Sequence, residues 1–518
     1  MSRLPARRGF RRARVRGRRE AVLRGALSIG RRRRAPHRAR RWPVARWRLL
    51  ALLGVHLLIA AHLLHHAYAG QTLGRVVLAD AHLTIERGIV NPAFVLFALA
   101  LAATALFGRF FCGWACHMGA LQDASAWLLR RAGIRPRLFR SRLLGYAPLL
   151  LALYLFVWPS VLRDLVHPWL ATGWPAAAAA LQPIPPFPGW STAWTSRDLW
   201  TGLPGPFVAV PFLLVCGAAT VYFLGARGLC RYACPYGGLL RPAARLAPVR
   251  VVVDPDRCDG CARCTAACSI GVRVHEQTRD HGSVIDADCM RTLDCIEACP
   301  QQALSLRALA PAEVETTPQA TLGWRTELFL AVIALGSTLV LRGLYDRIPL
   351  LLAAALGVLV AFLALRGAEL AQPRMVTLAP FLLRDRSGLR RAGRVYLALL
   401  VISLLLLAQS ALVQGALLRA RILDAQVYVD WAQIQAHAVD PAQAALARRA
   451  LAWYRIASPP SAGGLALATT PEVPLRRAWL LLVLGESQHA ERELRARLET
   501  APTDTAARAA LAELLQSR

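Results

Sequence analysis

The 518-residue sequence predicts a mainly α-helical polytopic membrane protein of about seven transmembrane helices, with an inserted cysteine-rich α+β domain and a C-terminal helical domain. Three observations carry that expectation. A mean hydropathy of +0.37 with 55% hydrophobic residues exceeds what an ordinary soluble domain carries. Apolar runs close to membrane-spanning length recur along the chain. Eleven of the twelve cysteines fall into spaced groups beside or between those runs.

Crossing a bilayer takes about 20 apolar residues, with shorter runs tolerated at some cost. By that rule spans lie near 49–68, 91–108, 143–161, 207–225, 326–342, 348–366 and 395–414. The formal charge of +32 is uneven: residues 1–47 hold 18 arginines and one acid, Glu20. No interleaved aromatics or reading element accompany this tail, so it reads as a cytoplasmic anchor and not as a nucleic-acid arm. Neither its length nor its flank fits a cleaved signal peptide.

Arginines also crowd 109–142 (Arg109, Arg130, Arg131, Arg135, Arg137, Arg140, Arg142), 226–325 and 367–394. These stretches alternate consistently if all are cytoplasmic. A bacterial inner-membrane location then follows, with the N-terminus inside and the C-terminus periplasmic. The periplasmic loop 162–206 carries Trp169, Trp174, Trp190, Trp194 and Trp200, which suit a wall along the outer interface.

The expected organisation is a tail at 1–48, a four-span core at 49–225, a cytoplasmic domain at 226–324 with its core at 249–308, three further spans at 325–414, and a periplasmic helical domain at 415–518. Within the last, Ala478, Gly485, Ala490, Leu494 and Pro502 fit one tetratricopeptide spacing, and Leu511, Ala512 and Leu515 begin it again. A plain helical hairpin fits this stretch equally well. Either offers a surface for a client protein.

On the cytoplasmic side thiols stay reduced, so metal ligation explains the cysteine groups better than disulfides. Cys258, Cys261, Cys264 and Cys268 follow a C-x2-C-x2-C-x3-C spacing. That lets one loop wrap three corners of an iron–sulfur cubane while the fourth thiolate turns to a second cluster. In the bacterial two-cluster ferredoxin arrangement, Cys258, Cys261 and Cys264 share cluster 1 with Cys299, and Cys268 serves cluster 2 with Cys289 and Cys295. Zinc is the competing reading of C-x2-C pairs, but the four-cysteine run and the trailing Pro300 favour iron–sulfur.

Thr292 stands where the second group should have another cysteine, and its hydroxyl is a poor ligand. Three outcomes stay open: a 3Fe–4S cluster, which is preferred, a 4Fe–4S cluster with a labile corner, or a substitute ligand such as Asp294. Two more pairs, Cys112 with Cys116 and Cys230 with Cys234, sit where the second and fourth spans end. Their i, i+4 spacing would place both thiols on one helical face. Together they could hold a third cluster at the membrane surface, or act as a redox dithiol. Cys216, mid-span, reads as a small buried hydrophobe.

This layout resembles the NapH/NosR-type membrane polyferredoxins, including the CcoG-like proteins, which pair C-x3-C-P motifs at helix ends with a following double-ferredoxin segment. The resemblance covers residues 90–310. Two departures mark it: His117 replaces the proline of the first pair, and Thr292 replaces a cluster cysteine. It implies electron transfer linked to quinol oxidation, maturation of a periplasmic metalloenzyme, or copper reduction during oxidase assembly.

His56, His62, His65 and His66 lie in the first span, with His82 beyond it. Ionisable groups there are costly, so a quinone or metal site involving His56, His62 and His66 stands against plain interfacial histidines, which are favoured. No catalytic triad, phosphate loop or hydrolytic metal site is present. The leading reading is an electron conduit between a quinol or cytoplasmic donor and a membrane or periplasmic redox partner, with the chain acting as a subunit of an oxidoreductase. A maturation factor using its clusters as reductant, or a redox sensor, is the alternative.

Overall fold

The computed structural model describes residues 43–74, 78–175, 178, 184–197, 199, 205–309, 322–502 and 504–516. The arginine tail through residue 42 and Trp200 lie outside these residues. Five helices are long and apolar enough to cross a membrane: Val44–Ala69, Pro206–Leu224, Trp324–Leu341, Leu350–Leu370 and Arg391–Asp424. A bent pair, Leu144–Phe156 with Trp158–Gly173, broken by 50°, makes a sixth if it is counted as one span and not as a re-entrant loop. Pro92–Phe107, expected as a span, is a shorter apolar helix of 16 residues capped by Asn91, whose side chain accepts from the Phe94 N–H.

Two boundaries differ from the expectation. The loop placed at 162–206 opens as helix: Pro159 sits in the first turn of Trp158–Val161, where a missing N–H costs nothing. A π-helical turn at Leu162–Val166 joins that segment to His167–Gly173. The boundary at 414 falls inside one helix that runs 34 residues to Asp424. Val413, Ala416, Leu417, Ala420 and Leu423 recur at helical spacing and are buried against Ala447, Ala450 and Tyr454 of Pro441–Ile456, so that helix outlasts its apolar run.

Leu350–Leu370 forms the centre of the apolar core. Ala353, Ala354, Ala355, Gly357 and Ala361 let neighbours approach closely, and a Cβ on Gly357 would collide with Ala334 and Thr338 of Trp324–Leu341. At the start of Trp324–Leu341 the buried Glu327 accepts from Ser141 Oγ (2.5 Å), Arg142 N (2.9 Å) and Leu143 N (3.1 Å), capping the segment that leads into Leu144–Phe156. Cys216 is fully buried in a π-helical stretch, Leu214–Ala219, where its carbonyl accepts from Thr220 Oγ1 at 2.8 Å and from Gln122.

Short strand pairs, Thr72–Leu73 with Thr195–Ser196 and Ile89–Val90 with Ser191–Thr192, tie the tryptophan-bearing loop to the turn after the first helix. Trp169, Trp174, Trp190 and Trp194 are exposed. The C-terminal helices Glu472–Val483 and Ser487–Thr500 form a hairpin whose turn is Gly485 at φ 75°, with Ala478, Ala490 and Leu494 buried together.

Candidate iron–sulfur site

Two antiparallel strands, Val249–Val253 and Leu304–Ala308, frame the cysteine-rich segment. Between them the loop geometry repeats. Gly260 (φ 71°) and Ala262 (φ 55°) surround Cys261, and Arg291 (φ 52°) and Leu293 (φ 63°) surround Thr292. Short helices follow each, Arg263–Ala267 carrying Cys264 and Asp294–Glu297 carrying Cys295. Thr292 therefore occupies the backbone position of Cys261: the loop is intact and only the thiol differs.

Mutual electrostatics link these thiols along the loop. Burial and then Cys299 raise the Cys264 pKa. At Cys261 a backbone N–H works the other way, but burial, Asp259 and Cys299 outweigh it. Burial and Cys289 raise Cys268, while burial followed by Cys289, Cys268 and Cys264 pushes Cys295 up steeply. Cys258 and Cys261 are exposed, whereas Cys295 is buried. Asp294, weighed above as a substitute ligand, is engaged elsewhere: it accepts from Ser269 Oγ at 3.0 Å and lies 3.7 Å from Arg48.

The expected single helical turn for the paired cysteines does not form. Cys112 and Cys230 sit within short helices, Phe110–Trp114 and Gly228–Tyr232, while Cys116 and Cys234 are N-cap residues of the next helices, His117–Arg131 and Pro235–Ala243. Pro235 disfavours a helical conformation at the residue before it, which explains the extended Cys234 (φ −79°, ψ 111°). Cys116 adopts nearly the same angles (φ −82°, ψ 120°) before His117, so the missing proline leaves the geometry unchanged.

These breaks leave Cys116 and Cys234 within electrostatic reach of Cys112 and Cys230. Burial, then Cys112 and Cys230, push the Cys116 thiol up to about 12. Burial, Cys230, Cys116 and Cys112 raise Cys234 further. The Gly119 and Gly237 N–H groups, in the first turn of their helices, donate to Cys116 and Cys234 and act in the opposite direction.

Arg109 and Arg227, counted above among loop charges, are instead buried beside the thiols at 1% and 2% exposure. Each stands three residues before the first cysteine of its pair, and a glycine stands three after the second. A Cβ on Gly237 would lie 2.9 Å from Cys230 O and 3.1 Å from Arg109 Nη2. On Gly119 it would lie 2.8 Å from Cys112 O and nearer still to Arg227 Nη1. Each half thus receives the arginine of the other. Burial opposes the Arg109 cation, but Cys112, Asp288 and Cys230 hold its pKa above the ordinary guanidinium value. Asp123 and Cys230 do the same for Arg227, again against burial. This repeated Arg-x2-Cys-x3-Cys-x2-Gly pattern was readable in the sequence, although the burial that gives it meaning was not.

The two sites abut. Trp114 Nε1 donates to Arg291 O at 2.8 Å, Thr292 Cγ2 lies 3.6 Å from the Cβ position of Gly113, and Cys112 and Cys230 share one hydrophobic core with Cys295. His62, His65 and His66 lie apart, near the turn after the first helix. His62 and His65 Nδ1 hydrogen-bond Thr72 Oγ1 at 3.2 and 3.1 Å, His66 Nε2 meets Arg197 O at 2.9 Å, and His56 turns to Leu52 O of its own helix.

Among the described residues no three His, Cys, Asp or Glu side chains close on a single metal ion. A multi-iron cluster spaces its thiolates more widely than one ion with bonds of about 2.3 Å does. Buried guanidinium N–H groups without oxygen partners, Arg109 Nε and Nη2 and Arg227 Nε, also fit an anionic group among the thiols.

Helices long and apolar enough to cross a membrane, beside grouped thiols, fit an iron–sulfur electron-transfer protein. The family described as a 4Fe-4S binding domain matches this chain twice, at residues 92–135 and 207–251, and the 4Fe-4S dicluster domain family matches residues 250–300. The chain is similar to the ferredoxin-type protein NapH of Haemophilus influenzae, 26% identical over 43% of this chain and 70% of that one. It is also similar to the putative electron transport protein YccM of Escherichia coli, 22% identical over 46% of this chain and 62% of that one. A third relative is the methylamine utilization ferredoxin-type protein MauN of Methylorubrum extorquens, 26% identical over 50% and 86%. No solved structure matches.

Proposed function

We propose that the chain relays single electrons through three iron–sulfur clusters in series. Cluster 1, on Cys258, Cys261, Cys264 and Cys299, exchanges electrons with a soluble partner at the exposed face. Cluster 2, on Cys268, Cys289 and Cys295, is of three-iron type because Thr292 supplies no thiolate. Cluster 3, on Cys112, Cys116, Cys230 and Cys234, faces the membrane core and a quinol or membrane partner. The cysteines anchor iron; burial, hydrogen bonds and nearby charge set each potential.

One observation carries this reading: Cys112, Cys230 and Cys295 pack in one continuous core, with Cys264, Cys268, Cys289 and Cys299 packed against it. With Pro92–Phe107 and the bent pair each counted as a crossing, the arginines at 130–142 assign the clusters and the N-terminus to the cytoplasmic side and residues 425–516 to the periplasmic side, where their helical hairpin offers a client-docking surface. Anaerobic purification with iron and sulfide assays, and EPR before and after dithionite, tests the scheme. Three separable signals are expected, one of them lost in Cys112→Ala and in Cys230→Ala. Bound zinc without sulfide would end the electron-transfer scheme.

A further inference from the structure

We propose that Arg109 and Arg227 are the charge-compensating pair of the cluster site at Cys112, Cys116, Cys230 and Cys234, each supplied to the opposite repeat, and that their charge keeps a cluster there reducible inside an apolar core. The inference rests on the four-thiol reading above. A 4Fe–4S core with four thiolates carries two negative charges, and one added electron makes three. No bond breaks and no proton moves in that step, so the whole change must be balanced by fixed charge or solvent. Solvent is scarce here: Cys112 and Cys230 are buried, and both arginines are almost wholly so.

Three observations point to these two side chains. Both place guanidinium nitrogens in the core with no oxygen partner (Arg109 Nε and Nη2, Arg227 Nε) and face a thiol instead, Arg109 at Cys112 and Arg227 at Cys230, a burial that is costly unless an anion is there. Their carboxylate partners are shared. Asp123 meets Arg227 at 2.7 Å and also pairs with Arg48, and Asp288 meets Arg109 at 3.4 Å along with Arg231 and Arg241. Neither arginine has a carboxylate to itself, which leaves positive charge for the thiols to balance. Finally, the crossing is reciprocal. Gly237 and Gly119 stand at the same place in the two repeats, and each leaves room for the other repeat's guanidinium beside its own first cysteine's carbonyl. Arg227 is even held at φ 63°, a conformation disfavoured for a side-chain-bearing residue, to reach there.

The test is an EPR-monitored redox titration of the full-length, anaerobically purified protein, with iron and sulfide assayed in each sample. The signal to follow is the one lost in Cys112→Ala. Arg109→Gln and Arg227→Gln are each expected to make the cluster harder to reduce. At the wild-type midpoint the reduced-to-oxidised ratio should fall at least tenfold, equivalent to 59 mV for one electron. Arg109→Lys and Arg227→Lys, which keep the charge, should stay within threefold of wild type. Glutamine variants that titrate like wild type overturn the inference, as do lysine variants that shift as far as glutamine. If a glutamine variant loses iron, lysine decides: retained signal supports charge compensation, and loss refutes it. Absence in the wild type of any signal dependent on Cys112 and Cys230 would instead remove the four-thiol reading itself.

Discussion

Gly119→Ala probes the closure of the paired-thiol site most directly. The new methyl carbon would lie 2.8 Å from Cys112 O and closer to Arg227 Nη1, inside the separation that real Cβ atoms keep. Arg227 cannot easily step aside, because Asp123 holds its Nη2 at 2.7 Å and Cys112 O holds its Nη1 at 3.1 Å. Overpacking of this kind costs about 1–3 kcal/mol, and removing a helical glycine returns about 0.5–1 kcal/mol. The net expectation is a loss of about 0–2.5 kcal/mol. Gly237→Ala, with contacts of 2.9 and 3.1 Å, should lose less. Gly336→Ala in Trp324–Leu341 meets nothing within 4 Å and should gain about 0.5–1 kcal/mol. Tryptophan-fluorescence melts in detergent, with iron and sulfide per chain, give the ranking. A Gly119→Ala protein as stable and as iron-loaded as Gly336→Ala would refute the placement of Arg227 against the first repeat.

Glu327→Ala removes the acceptor of three donors around Ser141–Leu143 and should destabilise the protein by about 2–4 kcal/mol, read as a lower melting temperature. Thr292→Cys restores a thiol on an unaltered loop; one more iron per chain and replacement of the three-iron EPR signal are expected, and unchanged spectra would argue against cluster 2. Cys216→Ala should leave iron content untouched while costing about 1 kcal/mol from the small void it opens. Asp424→Ala strands Tyr454 Oη and Arg476 Nε, at 2.9 and 2.6 Å, and should loosen the C-terminal helices by about 2–4 kcal/mol, seen as earlier proteolysis there.

What the sequence revealed follows from what local chemistry encodes. Apolar runs mark the spans because lipid demands them over a fixed length, and the C-x2-C-x2-C-x3-C run marks a cluster loop because its wrapping is local. Arg109 and Arg227 were hidden for the opposite reason. An arginine after an apolar run looks like any flanking charge, and only the meeting of two segments far apart in sequence reveals it as buried. The i, i+4 spacing of Cys112 and Cys116 misled likewise, since the same spacing fits one helical turn or a break between two helices. Burial of the 413–423 face depended on Pro441–Ile456, a partner no run of hydropathy names.

The Arg391–Asp424 helix passes without interruption from the apolar spans into the C-terminal helices. At 1.5 Å per residue it is a rod of about 50 Å, so each degree of tilt at one end carries the other roughly 0.9 Å sideways. The C-terminal helices are therefore mounted on a lever, not hung from a tether. If that helix tilts as a rigid body, a shift among the spans would re-aim whatever surface the C-terminal helices present.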